Sequence, residues 1–161
     1  MPVWWEQENP SELNMKDGVP CRESFYSQKW RDDASQFLRE FTQYANSCKY
    51  ASRIVGYQIA GGQTEEWFHF DINGGYGECA KHAFRAFLGE YYPEVEYKAL
   101  PDLTLLDKKT NYFNDEYLTR YIEFANFKIA QAISHFARIV KEETGNNVVI
   151  GTFYGYTLEV T

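Results

Sequence analysis

The stretch RIVGYQIAGGQTEEWFHFD, residues 53–71, joins a short apolar segment to a glycine pair and two adjacent carboxylates. Its first part, Arg53–Ala60, is β-branched and apolar on both faces, which is typical of a strand buried in a parallel sheet. Gly61 and Gly62 then end the strand, because glycine permits a sharp turn or a close approach of the backbone. Polar side chains therefore follow directly after a predicted buried strand.

Helical spacing of apolar residues predicts three helices around this strand. The first covers residues 29–47, with Ser27 as its N-cap. The second covers residues 80–91 and stops before Pro93. The third starts with Asn114 as its cap, continues for about 28 residues by its periodicity, and ends at Gly145.

A second apolar strand, Asn147–Gly151 (NVVIG), follows the third helix. Strands separated by helices predict an α/β fold with a parallel sheet covered by helices. Residues 1–28 are predicted to form a long loop, and residues 94–113 are predicted to be irregular. Because two strands do not complete a sheet and leave bare edges, we expect a piece of a larger α/β protein.

Composition excludes several classes of function. The net charge is -7 and no Lys/Arg cluster occurs, so nucleic acid is not an expected partner. No apolar run approaches the roughly 20 residues that span a bilayer, and the N-terminus lacks the features of a signal peptide. We therefore expect a soluble chain whose location the sequence does not reveal. Aromatic residues make up 18% of the chain, so we expect some rings to face a ligand.

No metal or cofactor is predicted. The cysteines are odd in number and widely spaced, which favours reduced thiols: Cys21, Cys48 and Cys79. The three histidines have no recognised metal-ligand spacing. Of these, His82 and His135 lie on predicted helices and are expected to be surface or packing residues.

The two adjacent carboxylates, Glu65 and Glu66, have two possible interpretations. Glu65 and Glu66 lie beside Trp67, and a carboxyl group near large aromatics is partly desolvated, which raises its pKa toward that of a general acid. Aromatic rings with a few polar groups also suit a sugar, whose C–H faces pack on rings. The alternative is a solvated helix start with a core tryptophan nearby.

Three pieces of the chain, PVWWEQENP, RIVGYQIAGGQTEEWFHFD and VVIGTFYGYTLEV, resemble the catalytic barrel of bacterial β-galactosidase-like glycoside hydrolases near family 42, which belong to the clan of retaining (β/α)8-barrel enzymes. The most specific piece is G-Y-x-I-A-x-G-x-T-x-E-W, from Gly56 to Trp67. The resemblance implies that residues 1–161 are a single fragment of a TIM barrel, from about the end of strand three to strand five. Arg53–Ala60 is similar to the fourth strand, and Asn147 onward is similar to the fifth.

In that family the general acid/base is a Glu after strand four and the nucleophile is a second Glu after strand seven. Family 42 places an Asn-Glu pair at the end of strand four, whereas here Tyr57-Gln58 is followed by Gly61-Gly62. The resemblance therefore implies that the acid comes from the shifted TEEW, with Glu66 preferred to Glu65. The nucleophile would lie outside this chain, so the isolated fragment is expected to be inactive.

Other residues are candidates for contact with a carbohydrate substrate. They are Trp4, Trp5 and Asn9 on the opening loop, Gln58 on the first strand, Trp67, His69 and Asp71 after the carboxylates, and Tyr154 and Tyr156 after the second strand. For each group, packing within the fold is the alternative. The expected partners are a carbohydrate and the remainder of the barrel, with self-association left open. The alternative function is a non-catalytic carbohydrate-binding or structural α/β module.

Overall fold

A computed structural model describes residues 2–16, 18–61, 67, 76–102 and 114–153. The chain divides into two compact units. Unit 1 contains residues 1–30 and 69–128, and unit 2 contains residues 31–68 and 129–161. The described residues form helices and short strands of a mixed α/β chain, and they contain two two-stranded sheets. Among them, no helix is both long and apolar enough to cross a membrane.

Unit 1 begins with ordered secondary structure, so the predicted loop over residues 1–28 is wrong. Helix α1 (Val3–Glu8) and a 3-10 turn (Pro10–Glu12) precede an antiparallel hairpin of β1 (Leu13–Lys16) and β2 (Val19–Glu23). β1 (LNMK) alternates apolar and polar residues over only four positions, and β2 (VPCRE) contains a proline and two adjacent charges, so the strand signal is short and interrupted.

The core of unit 1 is an aromatic cluster between α3 (Glu78–Tyr91) and the first part of α4 (Glu116–Glu143). Phe84 lies at its centre, fully buried, and its ring centroid is 5.1 Å from that of Tyr121 and 5.2 Å from that of Phe124. Edge-to-face and tilted pairs of this kind add to the burial of the rings. The prediction of a helix over residues 80–91 is confirmed.

Helix α2 (Gln28–Ser47) begins as predicted at Ser27. The Ser27 hydroxyl oxygen accepts a hydrogen bond of 2.9 Å from the Trp30 N–H. The same hydroxyl donates to a carboxylate oxygen of Glu12 at 2.6 Å. Ser27 therefore satisfies one of the free N–H groups at the helix start, as an N-cap does.

Helix α4 is 28 residues long, but its cap is one residue later than predicted. The Leu118 N–H donates to a carboxylate oxygen of Asp115 at 3.0 Å, so Asp115 caps the helix rather than Asn114. Beyond its end, Gly145 has a φ of +59° and the Asn146 N–H donates to the Lys141 carbonyl at 2.9 Å. This is a Schellman ending, and it confirms the predicted stop at Gly145.

Unit 2 contains the predicted parallel pair. Strand β3 (Gly56–Gln58) pairs in parallel with β4 (Val149–Gly151), and Gly56 lies opposite Val149. Both strands are shorter than predicted. For β3 the reason is that residues 51–53 form a 3-10 turn and the strand ends at Gln58.

Among the described residues, helix α2 packs on the face of β3 that carries Tyr57. The Tyr57 ring meets that of Phe41 on α2 edge-to-face at 6.4 Å, whereas Gln58, on the opposite face by the period of two, is exposed. The prediction of burial on both faces is therefore wrong for the described residues, since none of them covers the face that carries Gln58.

In unit 2 the later parts of α2 and α4 lie side by side. Arg39 of α2 forms ion pairs with Glu142 at 3.2 Å and with Glu143 at 2.9 Å. Ser35, one turn earlier on α2, contacts His135 on α4. The contacts advance in the same direction along both helices, so the two helices run parallel, as expected of helices that connect parallel strands.

Candidate functional site

The ends of β3 and β4 are joined by hydrogen bonds that continue past the strands. The Ile59 N–H donates to the Gly151 carbonyl at 2.9 Å, which extends the parallel ladder. The Ile59 carbonyl accepts two bonds of 3.0 Å, from the Trp67 indole N–H and from the Thr152 hydroxyl. In addition, the Trp67 backbone N–H donates to the Phe153 carbonyl at 2.9 Å. Trp67 is therefore attached to the carboxyl ends of both strands.

The Trp67 ring packs directly on Gly61. A Cβ atom on Gly61 would lie 2.7 to 2.9 Å from three atoms of the indole, which is closer than real Cβ contacts. On α4, Phe136 lies 6.0 Å from the ring, centroid to centroid, and Trp67 is only 1% exposed. The Trp67 indole thus occupies the space that a side chain at position 61 would need.

These contacts bring Gly61 and Trp67 together at the carboxyl ends of β3 and β4. Gly61 and Trp67 are in contact, and residues 62–66 connect them in the sequence. The candidate catalytic residues Glu65 and Glu66 belong to this connection and lie outside the described residues. Four further candidates also lie outside them, namely His69, Asp71, Tyr154 and Tyr156.

Trp67 and Gln58, the two described candidates of unit 2, differ in exposure. Trp67 is buried and its indole N–H is bonded to Ile59, so its ring presents no open face to a ligand. Gln58 is exposed on β3, and its side chain is open to solvent in the described part of the chain. Its role in substrate binding stays a prediction.

The three candidates of unit 1 lie on or next to α1. Trp4 is 58% exposed, whereas Trp5 is 2% exposed and belongs to the core. The Asn9 side-chain N–H donates to the Trp5 carbonyl at 2.8 Å, which closes the end of α1. Of the three, Trp4 has the open ring face that a sugar platform requires.

A serine–histidine contact in unit 2 was not predicted. The Ser35 hydroxyl and His135 Nε2 are 2.8 Å apart, and the same hydroxyl donates to the Arg31 carbonyl at 2.5 Å. Because a hydroxyl has one hydrogen, a Ser35 hydroxyl that donates to Arg31 leaves the oxygen to accept from Nε2. A nucleophilic serine needs the reverse arrangement, in which histidine accepts the hydroxyl proton. The two residues are 100 positions apart, so no local motif indicates the contact.

The environment of His135 disfavours its charged form. Burial lowers its pKa from 6.5, and the positive charges of Arg31, Arg138 and Arg39 lower it further, while Asp32 opposes them. His135 is therefore neutral at pH 7. The contact joins α2 to α4.

Unit 1 contains a second polar cluster at Glu12. Besides the Ser27 hydroxyl, its carboxylate accepts a weak bond of 3.4 Å from the Cys79 thiol. Burial and the Glu12 carboxylate raise the pKa of Cys79 to about 12, so the thiol stays protonated at neutral pH. All three cysteines are free, which confirms the predicted thiols. A thiol with a raised pKa is a poor nucleophile.

Among the described residues, no group of three or more His, Cys, Asp or Glu side chains is arranged to hold a metal ion. The comparisons with known proteins yield no match to a family model, a curated protein or a solved structure.

Proposed function

We propose that this chain is part of a retaining glycoside hydrolase of the β-galactosidase-like kind, with Glu66 as its general acid/base. The observation that carries the proposal is the attachment of Trp67, the residue after Glu66, to the carboxyl ends of two parallel strands. In parallel α/β folds, ligand-binding and catalytic groups lie on the loops that follow those ends. Glu66 occupies that place in the sequence.

The parallel pairing of β3 and β4 also supports a barrel. In the sequence these strands are separated by the helices α3 and α4, and they pair directly, as successive strands of a (β/α)8 barrel do. They correspond to strands four and five in the resemblance. The proposal assigns the remaining strands to other parts of the parent protein.

Exposed apolar side chains in unit 2 are in keeping with further elements around it. Phe37, Phe41 and Tyr44 are spaced along one side of α2 and are all exposed. Val55, just before β3, and Val149, the first residue of β4, are exposed as well. Apolar patches of this kind mark surfaces that another element or partner covers. In the proposal, the neighbouring strands and helices of the barrel cover them.

The proposed reaction is a double displacement. In the first step a carboxylate nucleophile outside this chain forms a bond to the anomeric carbon, and the glycosidic C–O bond breaks. Its electron pair goes to the leaving oxygen, which takes the proton of Glu66. In the second step the Glu66 carboxylate removes a proton from water, the water oxygen bonds to the anomeric carbon, and the nucleophile leaves. The two carboxyl groups of retaining enzymes are about 5 to 5.5 Å apart.

The test is hydrolysis of an aryl galactoside by the complete protein and by two matched variants. For Glu66→Gln we expect the rate with a phenyl leaving group to fall about 10²- to 10⁴-fold, the usual contribution of a general acid. Glu65→Gln changes the neighbouring carboxylate in the same way and should keep most of the activity. A Glu66→Gln variant with unchanged hydrolysis would remove this residue from the acid/base role.

Two further outcomes separate the alternatives. If only Glu65→Gln loses activity, Glu65 is the acid. If the complete protein does not hydrolyse any aryl glycoside but galactosides quench its tryptophan fluorescence in a saturable way, the carbohydrate-binding alternative replaces the hydrolase. Absence of both hydrolysis and quenching would favour the structural module.

A further inference from the structure

We infer that a basic cluster of unit 2, formed by Arg31 of α2 with His135 and Arg138 of α4, binds a small tetrahedral oxyanion such as phosphate or sulfate. The inference is independent of the acid/base role proposed for Glu66. Its basis is the placement of three groups that can carry positive charge at one contact between two helices, together with a buried donor that has no acceptor.

The contact between Ser35 and His135 brings the cluster together. The Ser35 hydroxyl lies 2.8 Å from His135 Nε2. Arg31 precedes Ser35 by one turn of α2, and its carbonyl accepts the Ser35 hydroxyl hydrogen. Arg138 follows His135 by three residues, so the two side chains share one side of α4. The two arginines therefore approach the imidazole from different helices.

Arg31 carries a donor that the described part of the chain leaves unused. Its Nε atom is buried, and no described residue offers that atom an acceptor. Buried donors in proteins are almost always bonded to protein, water or a ligand, because an unpaired one is costly. The oxygens of an anion suit this donor, since the guanidinium group presents its N–H groups as a planar fork that matches phosphate-like geometry.

Positive charge outweighs negative charge around His135. Besides burial, the charges of Arg31, Arg138 and Arg39 lower the pKa of His135, and Asp32 is the acid that opposes them. Burial also lowers the pKa of Arg31 itself, and the charge of Asp32 again acts in the opposite direction. The cluster is thus a locally positive region on a chain of net charge -7, and such a region attracts anions.

Arg39 is not assigned to the site, because its guanidinium group already has anionic partners. It forms ion pairs with Glu142 at 3.2 Å and with Glu143 at 2.9 Å. Binding of the anion is therefore assigned to Arg31 and Arg138. Protonation of His135 adds a further positive charge beside them, so anion binding and protonation favour each other.

The experiment measures the pKa of His135 by NMR in the complete protein, in sodium sulfate and in sodium chloride at equal ionic strength. Sulfate is the probe because it stays doubly charged throughout the titration of a histidine. Bound sulfate should raise the pKa of His135 by about 1, as an opposite charge within about 4 to 6 Å does. By linkage, sulfate should bind about 10-fold more tightly to the protein in which His135 is protonated.

His82 is the internal control, because it is an exposed histidine on α3 of unit 1. Its pKa should be the same in the two salts. A rise of equal size at both histidines would show a general salt effect and overturn the inference. An unchanged pKa of His135 in sulfate would overturn it as well.

Arginine variants test which side chains hold the anion. Arg31→Gln should weaken sulfate binding about 10-fold or more, the range for hydrogen bonds to a charged group, and should remove the rise at His135. Arg31→Lys keeps the charge without the planar fork and should recover only part of the affinity. Arg53→Gln removes an exposed arginine of unit 2 outside the cluster and should leave both measurements unchanged.

Arg138→Gln keeps the inference testable if the Arg31 variants do not fold. Arg138 is exposed, so its replacement leaves the packing of α4 intact. We expect sulfate binding to weaken about 2- to 5-fold in calorimetric titration, as for an exposed ion pair. Equal affinity in Arg138→Gln and in Arg53→Gln would contradict the assignment of the anion to this cluster.

Discussion

Replacement of Gly61 by alanine tests the packing at the strand ends directly. The new Cβ would lie 2.7, 2.8 and 2.9 Å from Trp67 Cε2, Cζ2 and Cδ2. Carbon atoms pack at about 3.5 to 4.0 Å, so the ring or the backbone must move by roughly 0.7 Å or more. Because the indole is buried and held by its N–H, we expect the free energy of unfolding to fall by about 1 to 3 kcal/mol, the usual cost of overpacking.

Gly89→Ala is the matched control for this prediction. Gly89 lies on an exposed position of α3 with no atom within 4 Å of the added Cβ, so the same substitution should stabilise by about 0.5 to 1 kcal/mol through helix propensity. Urea unfolding of both variants followed by circular dichroism measures the opposite signs. Hydrogen exchange at the Trp67 indole N–H reports the local effect, and it should accelerate in Gly61→Ala alone. A Gly61→Ala protein as stable as the unsubstituted chain, with unchanged exchange, would refute the packing argument.

Three further predictions concern groups outside the strand ends. The pKa of His135 is lower in the folded chain than its ordinary 6.5, so the unfolded chain binds more protons near that pH. Neutral His135 therefore makes its full contribution to the free energy of unfolding above pH 6.5. That contribution is lost as the pH falls through the folded-state pKa. Urea midpoints between pH 5 and 7 should fall less steeply for His135→Gln, and equal slopes would contradict the shift. Ser27→Ala removes the cap of α2 and the donor to Glu12, and should lower the free energy of unfolding by about 1 to 2 kcal/mol in urea unfolding, whereas Ser27→Thr should retain most of it. The pKa of about 12 at Cys79, against an ordinary 9.0, should slow its alkylation by iodoacetamide about 1,000-fold relative to the unfolded chain, and peptide mapping that shows similar rates would count against the Glu12 contact.

The long elements were predictable from the sequence because their patterns are strong. The three helices follow apolar spacing over many residues, and Ser27 and Gly145 mark two of their ends by local chemistry. The parallel pairing of β3 with β4 followed from strands separated by helices. The cap of α4 was not predictable to the residue, because Asn114 and Asp115 are both of types that cap helices and only the geometry distinguishes them.

The parts that could not be predicted depend on contacts between distant residues. The hairpin of β1 and β2 has short strands that pair with each other across Gly18; the alternation in β1 covers only four residues, and a proline interrupts β2. The sequence predicts Trp67 on a binding surface because it follows two carboxylates and precedes a second aromatic residue, Phe68. Its burial depends on Gly61, Phe136 and the Ile59 carbonyl, which only the fold brings together.

The high aromatic content of the chain is weak evidence for a ligand, because many of the rings are buried in the core. In unit 1 the cluster around Phe84 uses phenylalanine and tyrosine rings as ordinary core, and Trp5 is buried as well. In unit 2, Trp67 fastens the strand ends. An aromatic ring supports a carbohydrate surface only where its face is open, which in the described part of the candidate set holds for Trp4. The proposed glycosidase function therefore depends on the attachment of Trp67 to the strand ends, and variants of that attachment test it more directly than removal of further rings.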